Sequence, residues 1–321
     1  MTTLLITGGC GYLGSQLLRD LAHQERFKDT TIRVLDNMQS ENYQALMQLP
    51  AEIRYEFVEG DLLDPVVVRL ALRDVDAVVH LAAIVSTPVS FTNPTWMDQV
   101  NHWGTTRLVE ACLEQGTSQL VYASSAAVYG PGGPHVETDT CRPIGPYAQS
   151  KRRAERVVLA AVSRGLNPTI LRFGTLYGHA PAMRFDAVAN RFAYLAGIGR
   201  SLTVYGTGEQ TRPFVHVADA VGAIRLALSW SRTPSPRVFN VATANYSILE
   251  LVGAIHASRP DVAVRYTEQD VLTHLSFKVD HTAITRYGWL SERSLDAGMA
   301  EVIDHFRNLR PVATVPGVEI E

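Results

Sequence analysis

The run Thr7-Gly8-Gly9-Cys10-Gly11-Tyr12-Leu13-Gly14 constrains this chain more than any other stretch. It follows Leu4-Leu5-Ile6, a short apolar segment of strand character. It opens into Ser15-Gln16-Leu17-Leu18-Arg19-Asp20-Leu21, a helical pattern. Glycines let a backbone turn tightly and approach a ligand closely. The helix N-terminus behind them offers free N–H groups and a positive dipole end. Strand, glycine turn and helix in that order predict the first βα unit of a doubly wound sheet. They also predict a dinucleotide held by Gly8, Gly11, Tyr12, Leu13 and Gly14.

The next strand bears on the same ligand. Thr31-Ile32-Arg33-Val34-Leu35 ends in Asp36, 22 positions after Gly14 (36 − 14). An acid about 20 residues beyond the loop is spaced to accept hydrogen bonds from ribose hydroxyls. Its charge would repel a 2′-phosphate, which favours NAD(H) over NADP(H). Asn37, next in the turn, is assigned to the cofactor as well.

Composition narrows the classes. At 321 residues the chain can bury a large core and hold one large or two modest domains. A net charge of −3 gives no bulk electrostatic case for nucleic acid or an anionic membrane. No apolar run reaches membrane-spanning length. The first strand begins at once, so no signal peptide is expected. Cys10, Cys112 and Cys141 are sparse and odd in number, so a reducing, cytoplasmic setting without disulfides is expected. The histidines show no zinc spacing, and no metal is expected.

Apolar runs at Ile53-Arg54-Tyr55-Glu56-Phe57-Val58, at 77–83, at 119–125 and at 169–173 read as further strands. Val100 to Gln115 and Tyr147 to Arg164 read as amphipathic helices between them. After about Tyr177 the pattern changes. Helices over Phe185 to Gly197, Ala218 to Trp230, Leu249 to Ser258 and Leu295 to Asn308 mix with short strands. Val238 to Val241 reads as a return to the main sheet. The expected fold class is α/β: a Rossmann-type doubly wound parallel sheet over 1–177, with a return segment near 214–242. A smaller C-terminal α/β substrate-binding domain is expected mainly over 178–321. The tail from Pro311 is expected to be poorly ordered.

Two clusters carry chemistry. Tyr147 and Lys151 stand four apart in Pro146-Tyr147-Ala148-Gln149-Ser150-Lys151, on one face of a helix. A phenol of pKa near 10 is a poor base at neutral pH. A neighbouring ammonium and a positive nicotinamide ring both favour its phenolate. Such a tyrosine can take a proton from an alcohol as hydride leaves the adjacent carbon. Ser124 and Ser125 end a strand just before Ala126-Ala127-Val128-Tyr129-Gly130, at the sheet edge where open α/β folds bind ligands. A serine there can bond a substrate hydroxyl and relay its proton to the tyrosine.

Glycine loop, Asp36, strand-end serine and Tyr-xxx-Lys, in this order, resemble the extended short-chain dehydrogenase/reductase family. The nearest pattern is its nucleotide-sugar epimerase/dehydratase branch. The resemblance runs from Thr7 to about Gly298 and includes Gly60-Asp61-Leu62, His80-Leu81-Ala82-Ala83, Asn101 with Gly104-Thr105, and Leu171-Arg172. It continues through Tyr177-Gly178, the segment from Gly206 to Phe214, and Val217-Ala218-Asp219. It implies that Asp61 and Leu62 flank the adenine, that Leu81, Ala82, Ala83 and Asn101 line the cofactor, and that Ser125, Tyr147 and Lys151 are catalytic. It further implies that Ser124, Thr175 and Asn190 meet the substrate and that Arg212 binds the diphosphate of a nucleotide-sugar, for which a forked guanidinium is suited. His216 reads as a packed strand residue. A homodimer through the helices at Val100 to Gln115 and Tyr147 to Arg164 is a further implication.

Departures from the pattern sharpen the expected reaction. Dehydratases of this branch carry an Asp-Glu pair, and decarboxylases a Glu, where this chain has Ala126-Ala127. The acid for eliminating water is missing. Thr175 stands where many relatives have Asn, and Cys10 where a small alanine is common. The expected activity is NAD-dependent epimerisation of a nucleotide-diphosphate sugar, at C4, through a 4-keto intermediate. The alternatives are an NDP-sugar decarboxylase or a net dehydrogenase/reductase of the same fold, in which Arg184 recognises a carboxylate. A non-catalytic dinucleotide-binding protein is a third reading, against which stand the retained Tyr147 and Lys151.

Overall fold

The computed structural model describes residues 2–85, 91–235, 237–268 and 276–309. The tail expected to be loose lies outside them. The strands are β1 (Thr2–Thr7), β2 (Thr30–Asp36), β3 (Arg54–Glu59), β4 (Ala77–His80), β5 (Gln119–Ser125), β6 (Gly132–His135) and β7 (Asn167–Phe173), followed by β8 (Thr175–Tyr177), β9 (Leu202–Tyr205), β10 (Thr211–His216), β11 (Val238–Val241), β12 (Ala244–Ser247), β13 (Val264–Thr267) and β14 (Phe277–Val279). The helices are α1 (Tyr12–Ala22), α2 (Pro65–Ala71), α3 (Pro94–Asp98), α4 (Gly104–Gln115) and α5 (Gly145–Ala160), then α6 (Val188–Gly197), α7 (Val217–Ser229), α8 (Ile248–Ser258), α9 (Thr282–Thr285) and α10 (Leu295–Phe306).

Seven parallel strands form the main sheet in the order β11-β7-β5-β4-β1-β2-β3. Strand order reverses between β1 and β4, so ligands are expected in the crevice at the C-terminal ends of these strands. Val238–Val241 does rejoin this sheet, beside β7. Side chains alternate across it. Leu4 and Ile6 of β1 pack with Leu17 and Leu21 of α1 on one face. Leu5 packs with Leu108 of α4 and Val158 of α5 on the other. Both faces are covered, which is why these strands read as continuous apolar runs. A separate core joins α6, α8 and α10 through Phe192, Leu251 and Met299. Smaller sheets, β12-β10-β8, β13-β9 and β14-β6, complete the C-terminal part.

The expected single helix from Val100 is corrected. A short helix, Pro94–Asp98, runs into a π turn over Gln99–Trp103, and only then does the regular helix Gly104–Gln115 begin. One hydrogen bond and one close approach mark the widened turn. The Asn101 amide is drawn to Ile84, and a Cβ at Gly104 would meet Leu62 Cδ2 at 2.8 Å. The next helix begins at Gly145 and closes in a tighter turn over Ala161–Arg164. The helix expected from Phe185 starts at Val188, because Arg184 folds back on Asp186 through two hydrogen bonds of 3.0 and 2.6 Å.

Candidate active site

The glycine loop is built for close approach. Gly8 adopts φ +69°, and its N–H donates to Leu35 O at 2.8 Å. A Cβ there would lie 2.5 Å from Ala82 N, so the loop rests directly on the backbone after β4. At Gly14 a Cβ would meet Gly9 Cα at 2.6 Å. Gly11 precedes α1, and no side chain caps that helix. Its first-turn N–H groups are left for an anion. This cradle fits a dinucleotide pyrophosphate. Gly8→Ala is expected to cost about 1–3 kcal/mol for the strained backbone alone and to weaken NADH binding by displacing Ala82. Thermal unfolding and NADH fluorescence titration would check it, and unchanged binding would refute the close fit.

Asp36 ends β2 with both carboxylate oxygens engaged. Oδ2 accepts from Cys10 N at 2.9 Å and Oδ1 from Met38 N at 3.0 Å. The acid is thereby fixed at the mouth of the loop, with lone pairs left for hydroxyl donors. Burial, then the Asp36 charge, pushes the Cys10 thiol up to about 12, so Cys10 acts as an inert packing group. Asn37 Nδ2 donates to Asp61 Oδ2 at 3.0 Å, and Leu63 N donates to Asp61 Oδ1 at 2.8 Å. The residues expected around adenosine thus form one joined edge beside a buried Leu62.

Beneath the cradle runs a chain of hydrogen bonds whose directions fix one another. Thr105 Oγ1 donates to Asn101 O at 2.6 Å, so it accepts from His80 Nε2–H at 2.9 Å. His80 Nδ1 therefore accepts from the Thr7 hydroxyl at 2.7 Å. Thr7 Oγ1 accepts in turn from Ala82 N at 3.4 Å. Burial, then the Lys151 charge, lowers His80 to about 3 and keeps it neutral. Asn101 is buried beside this chain of bonds. Its amide closes on Ile84 N and O at 2.8 and 2.9 Å and donates to Ser150 Oγ at 3.1 Å. It braces the 81–85 segment against α5. Ser150 Oγ donates to Tyr147 O at 2.8 Å, so the brace reaches the helix that carries the reactive pair.

Tyr147, Lys151 and Ser125 converge at the C-terminal end of β5. Burial pushes the Tyr147 phenol upward, while its hydrogen bond with Ser125 and the Arg184 charge oppose that. Ser125 Oγ also accepts from Ala127 N at 3.2 Å. Lys151, 3% exposed, donates from Nζ to Ala123 O at 2.8 Å and lies 5.1 Å from the Tyr122 ring centroid. Burial brings its ammonium down to about 7, opposed by Glu155. The Ser124 hydroxyl donates to Glu155 Oε1 at 2.6 Å. The side chains of a strand alternate, so the two consecutive serines point to opposite sides of β5.

The remaining expected contacts divide. Arg212 and Thr175 lie on adjacent strands β10 and β8, both partly exposed, with Thr175 in register with Phe214. Burial lowers the Arg212 guanidinium. Asn190 is wholly buried, accepts from Gly178 N at 3.1 Å, and donates to Tyr12 Oη at 3.2 Å and Arg184 O at 2.9 Å. Tyr12 Oη donates to Gly178 O at 2.5 Å. Tyr12 and Asn190 together tie α1 to the loop after β8. His216 is buried as expected, and it caps α7 through Ala218 N at 3.2 Å. Sequence reasoning missed Glu155 and Arg172 as a pair, although Glu155 continues the four-residue spacing of Tyr147 and Lys151. Among the described residues no His, Cys, Asp and Glu side chains gather as a metal site, and no helix is long and apolar enough to cross a membrane.

A parallel sheet with a glycine cradle at its switch point and a Ser-Tyr-Lys cluster at its C-terminal edge defines a dinucleotide-dependent enzyme class. Residues 4–242 match the model of the NAD dependent epimerase/dehydratase family, and the chain belongs to that family. It is 31% identical over 319 residues to dTDP-glucose 4,6-dehydratase of Streptomyces griseus, covering 97% of this chain and 96% of that protein. It is 29% identical over 286 residues to UDP-N-acetyl-alpha-D-glucosaminuronate decarboxylase of Bacillus cytotoxicus, covering 86% and 82%. The UDP-glucose 4-epimerase of Thermus thermophilus, in complex with NAD, superposes with TM-score 0.81 at 29% identity, covering 96% of this chain and 99% of that one. The protein is an NAD-dependent, nucleotide-sugar-modifying enzyme.

Proposed function

We propose that this enzyme epimerises a nucleotide-diphosphate sugar at C4. The observation that carries the reading is the Ser125–Tyr147 pair beside Ala126-Ala127, which offers a proton acceptor but no acid for elimination. Gly8, Gly11, Tyr12, Leu13 and Gly14 would hold the pyrophosphate, Asp36 the ribose, Asn37, Asp61 and Leu62 the adenosine edge, and Leu81, Ala82 and Ala83 the inner wall. When bound, NAD supplies a hydride acceptor and donor. Tyr147 takes the 4-hydroxyl proton and later returns it, with Ser125 as the relay. Lys151 supports the phenolate. Arg212 clamps the diphosphate, and Thr175 lies on the neighbouring strand. A homodimer through α4 and α5 would cover Trp103, which is 55% exposed. Light scattering would check it.

Arg184 favours a second reading. It is the cation that acts on Tyr147, and its guanidinium is held by a half-exposed Asp186. A sugar carboxylate could take the place of Asp186, which would fit decarboxylation or net oxidation of a uronic acid. Incubation with UDP-, GDP-, CDP- and dTDP-sugars and NAD, followed by NMR of the sugars, separates the two. A C4 epimer without net NADH supports epimerisation. Release of CO2 or stoichiometric NADH moves the function to the second reading, and a 6-deoxy-4-keto product would overturn both.

A further inference from the structure

Tyr147, Lys151 and Glu155 follow at four-residue intervals, so their side chains lie along one stripe of α5. Glu155 is 0% exposed. An isolated carboxylate there would take up a proton rather than stay charged. Four hydrogen bonds hold it ionised instead. Arg172 Nε donates to Oε1 and Nη2 to Oε2, each at 2.8 Å. Arg152 Nη1 donates to Oε2 at 2.7 Å and Ser124 Oγ to Oε1 at 2.6 Å. Arg172 is anchored in turn. It lies 4.7 Å from the Tyr129 ring centroid and donates to Tyr129 Oη at 2.8 Å, which donates to Asn240 Oδ1 at 2.7 Å. Stability alone does not account for such a cage, since a well-packed apolar pair of similar volume often serves as well as a buried ion pair.

Lys151 supplies another reason. Around it stand Tyr122 and the Ala123 carbonyl from β5, His80 from β4 and Glu155 from its own helix, with Tyr147 one turn earlier on that helix. Tyr122, Tyr147 and His80 are held neutral, and the charges of Arg172 and Arg152 are turned onto Glu155. Glu155 is the group whose field favours the ammonium. Taking Tyr147 and Lys151 as the reacting pair, we propose that Glu155, caged by Arg172, is a positioning residue that keeps the Lys151 ammonium charged beside Tyr147. The Ser124 bond gives the same cage a hold on the backbone from which Ser125 reaches Tyr147.

The chain has three lysines, Lys28, Lys151 and Lys278, so lysine-selective 13C labelling of the NAD-loaded protein gives a simple NMR titration. Lys151→Met assigns the signal. Glu155→Gln should lower the Lys151 midpoint by about one pH unit, a tenfold loss of proton affinity. The alkaline limb of the turnover profile should move down with it. A purely structural role would reduce turnover at every pH without moving either midpoint, and an unmoved lysine midpoint overturns the proposal. If Glu155→Gln does not fold, the double variant Glu155→Leu/Arg172→Met removes both members of the buried pair and carries the same test. There too, a lowered midpoint supports the proposal and a wild-type midpoint overturns it. The lysine signal needs no sugar, so absence of sugar product would sink the epimerase reading while the lysine midpoint still decides the role of Glu155.

Discussion

Tyr147→Phe is expected to remove turnover by roughly 10²–10⁴-fold while leaving the fold and NADH binding intact, the range lost with a positioned acid–base group. The phenol oxygen is the atom that meets Ser125, and it is the group at this site whose ionised form Ser125 and Arg184 both favour. Phenylalanine keeps the ring and its packing. It also keeps the carbonyl that accepts from Ser150 Oγ, so α5 stays braced to Asn101 and the 81–85 segment. The two effects therefore separate. Product formation, followed by NMR of the sugar, should vanish within the assay. NADH fluorescence titration and thermal unfolding should match wild type. A Tyr147→Phe enzyme that keeps most of its rate would remove Tyr147 from the chemistry and leave the proton transfer to another group. Loss of cofactor binding would instead point to a packing role.

What could be read from the sequence was what lies close along the chain or at fixed spacing. The glycine loop, Asp36, Ser125 and the Tyr147–Lys151 pair are each set by one turn, one strand end or one helical repeat, and the structure brings them to a single sheet edge. What the sequence did not show is set by distant partners. Asn101 and Asn190 sit in motif positions, yet their amides are spent on Ile84, Ser150, Gly178 and Tyr12, up to 178 residues away. Ser124 could not be told from Ser125 by residue type; the bond of Ser124 to Glu155 needs the neighbouring helix in place. The π turn at Gln99–Trp103 has no periodic signature, because apolar spacing there fits an ordinary helix as well. Arg172 was visible as a strand arginine, but its partner Glu155 lies on a helix 17 residues earlier and only folding joins them.

That pair also gives the largest expected effect on stability. Arg172→Met should lower unfolding stability by about 3–5 kcal/mol at neutral pH, the usual cost of leaving one member of a buried ion pair alone. The sign of its pH dependence follows from Glu155. Burial pushes that carboxyl upward, and Arg172, with Ser124 and Arg152, holds it below its ordinary value of 4.5. A carboxylate held low contributes stability that is present above the unfolded value and lost as pH falls through the folded one. Without Arg172 the burial effect dominates and the folded carboxyl rises above its unfolded value. The variant then becomes relatively more stable as pH falls and Glu155 is protonated. The gap between wild type and Arg172→Met should be widest at neutral pH and narrow toward about pH 4. Urea unfolding at the two pH values measures it. A gap that stays constant would mean that Arg172 matters through its volume and its stacking on Tyr129, with little from its charge. The double variant Glu155→Leu/Arg172→Met should recover most of the lost stability at neutral pH, because it removes the unpaired carboxylate together with its partner. If that recovery comes with a lowered Lys151 midpoint, stability and the charge of Lys151 are separable, and the ion pair is retained for the second.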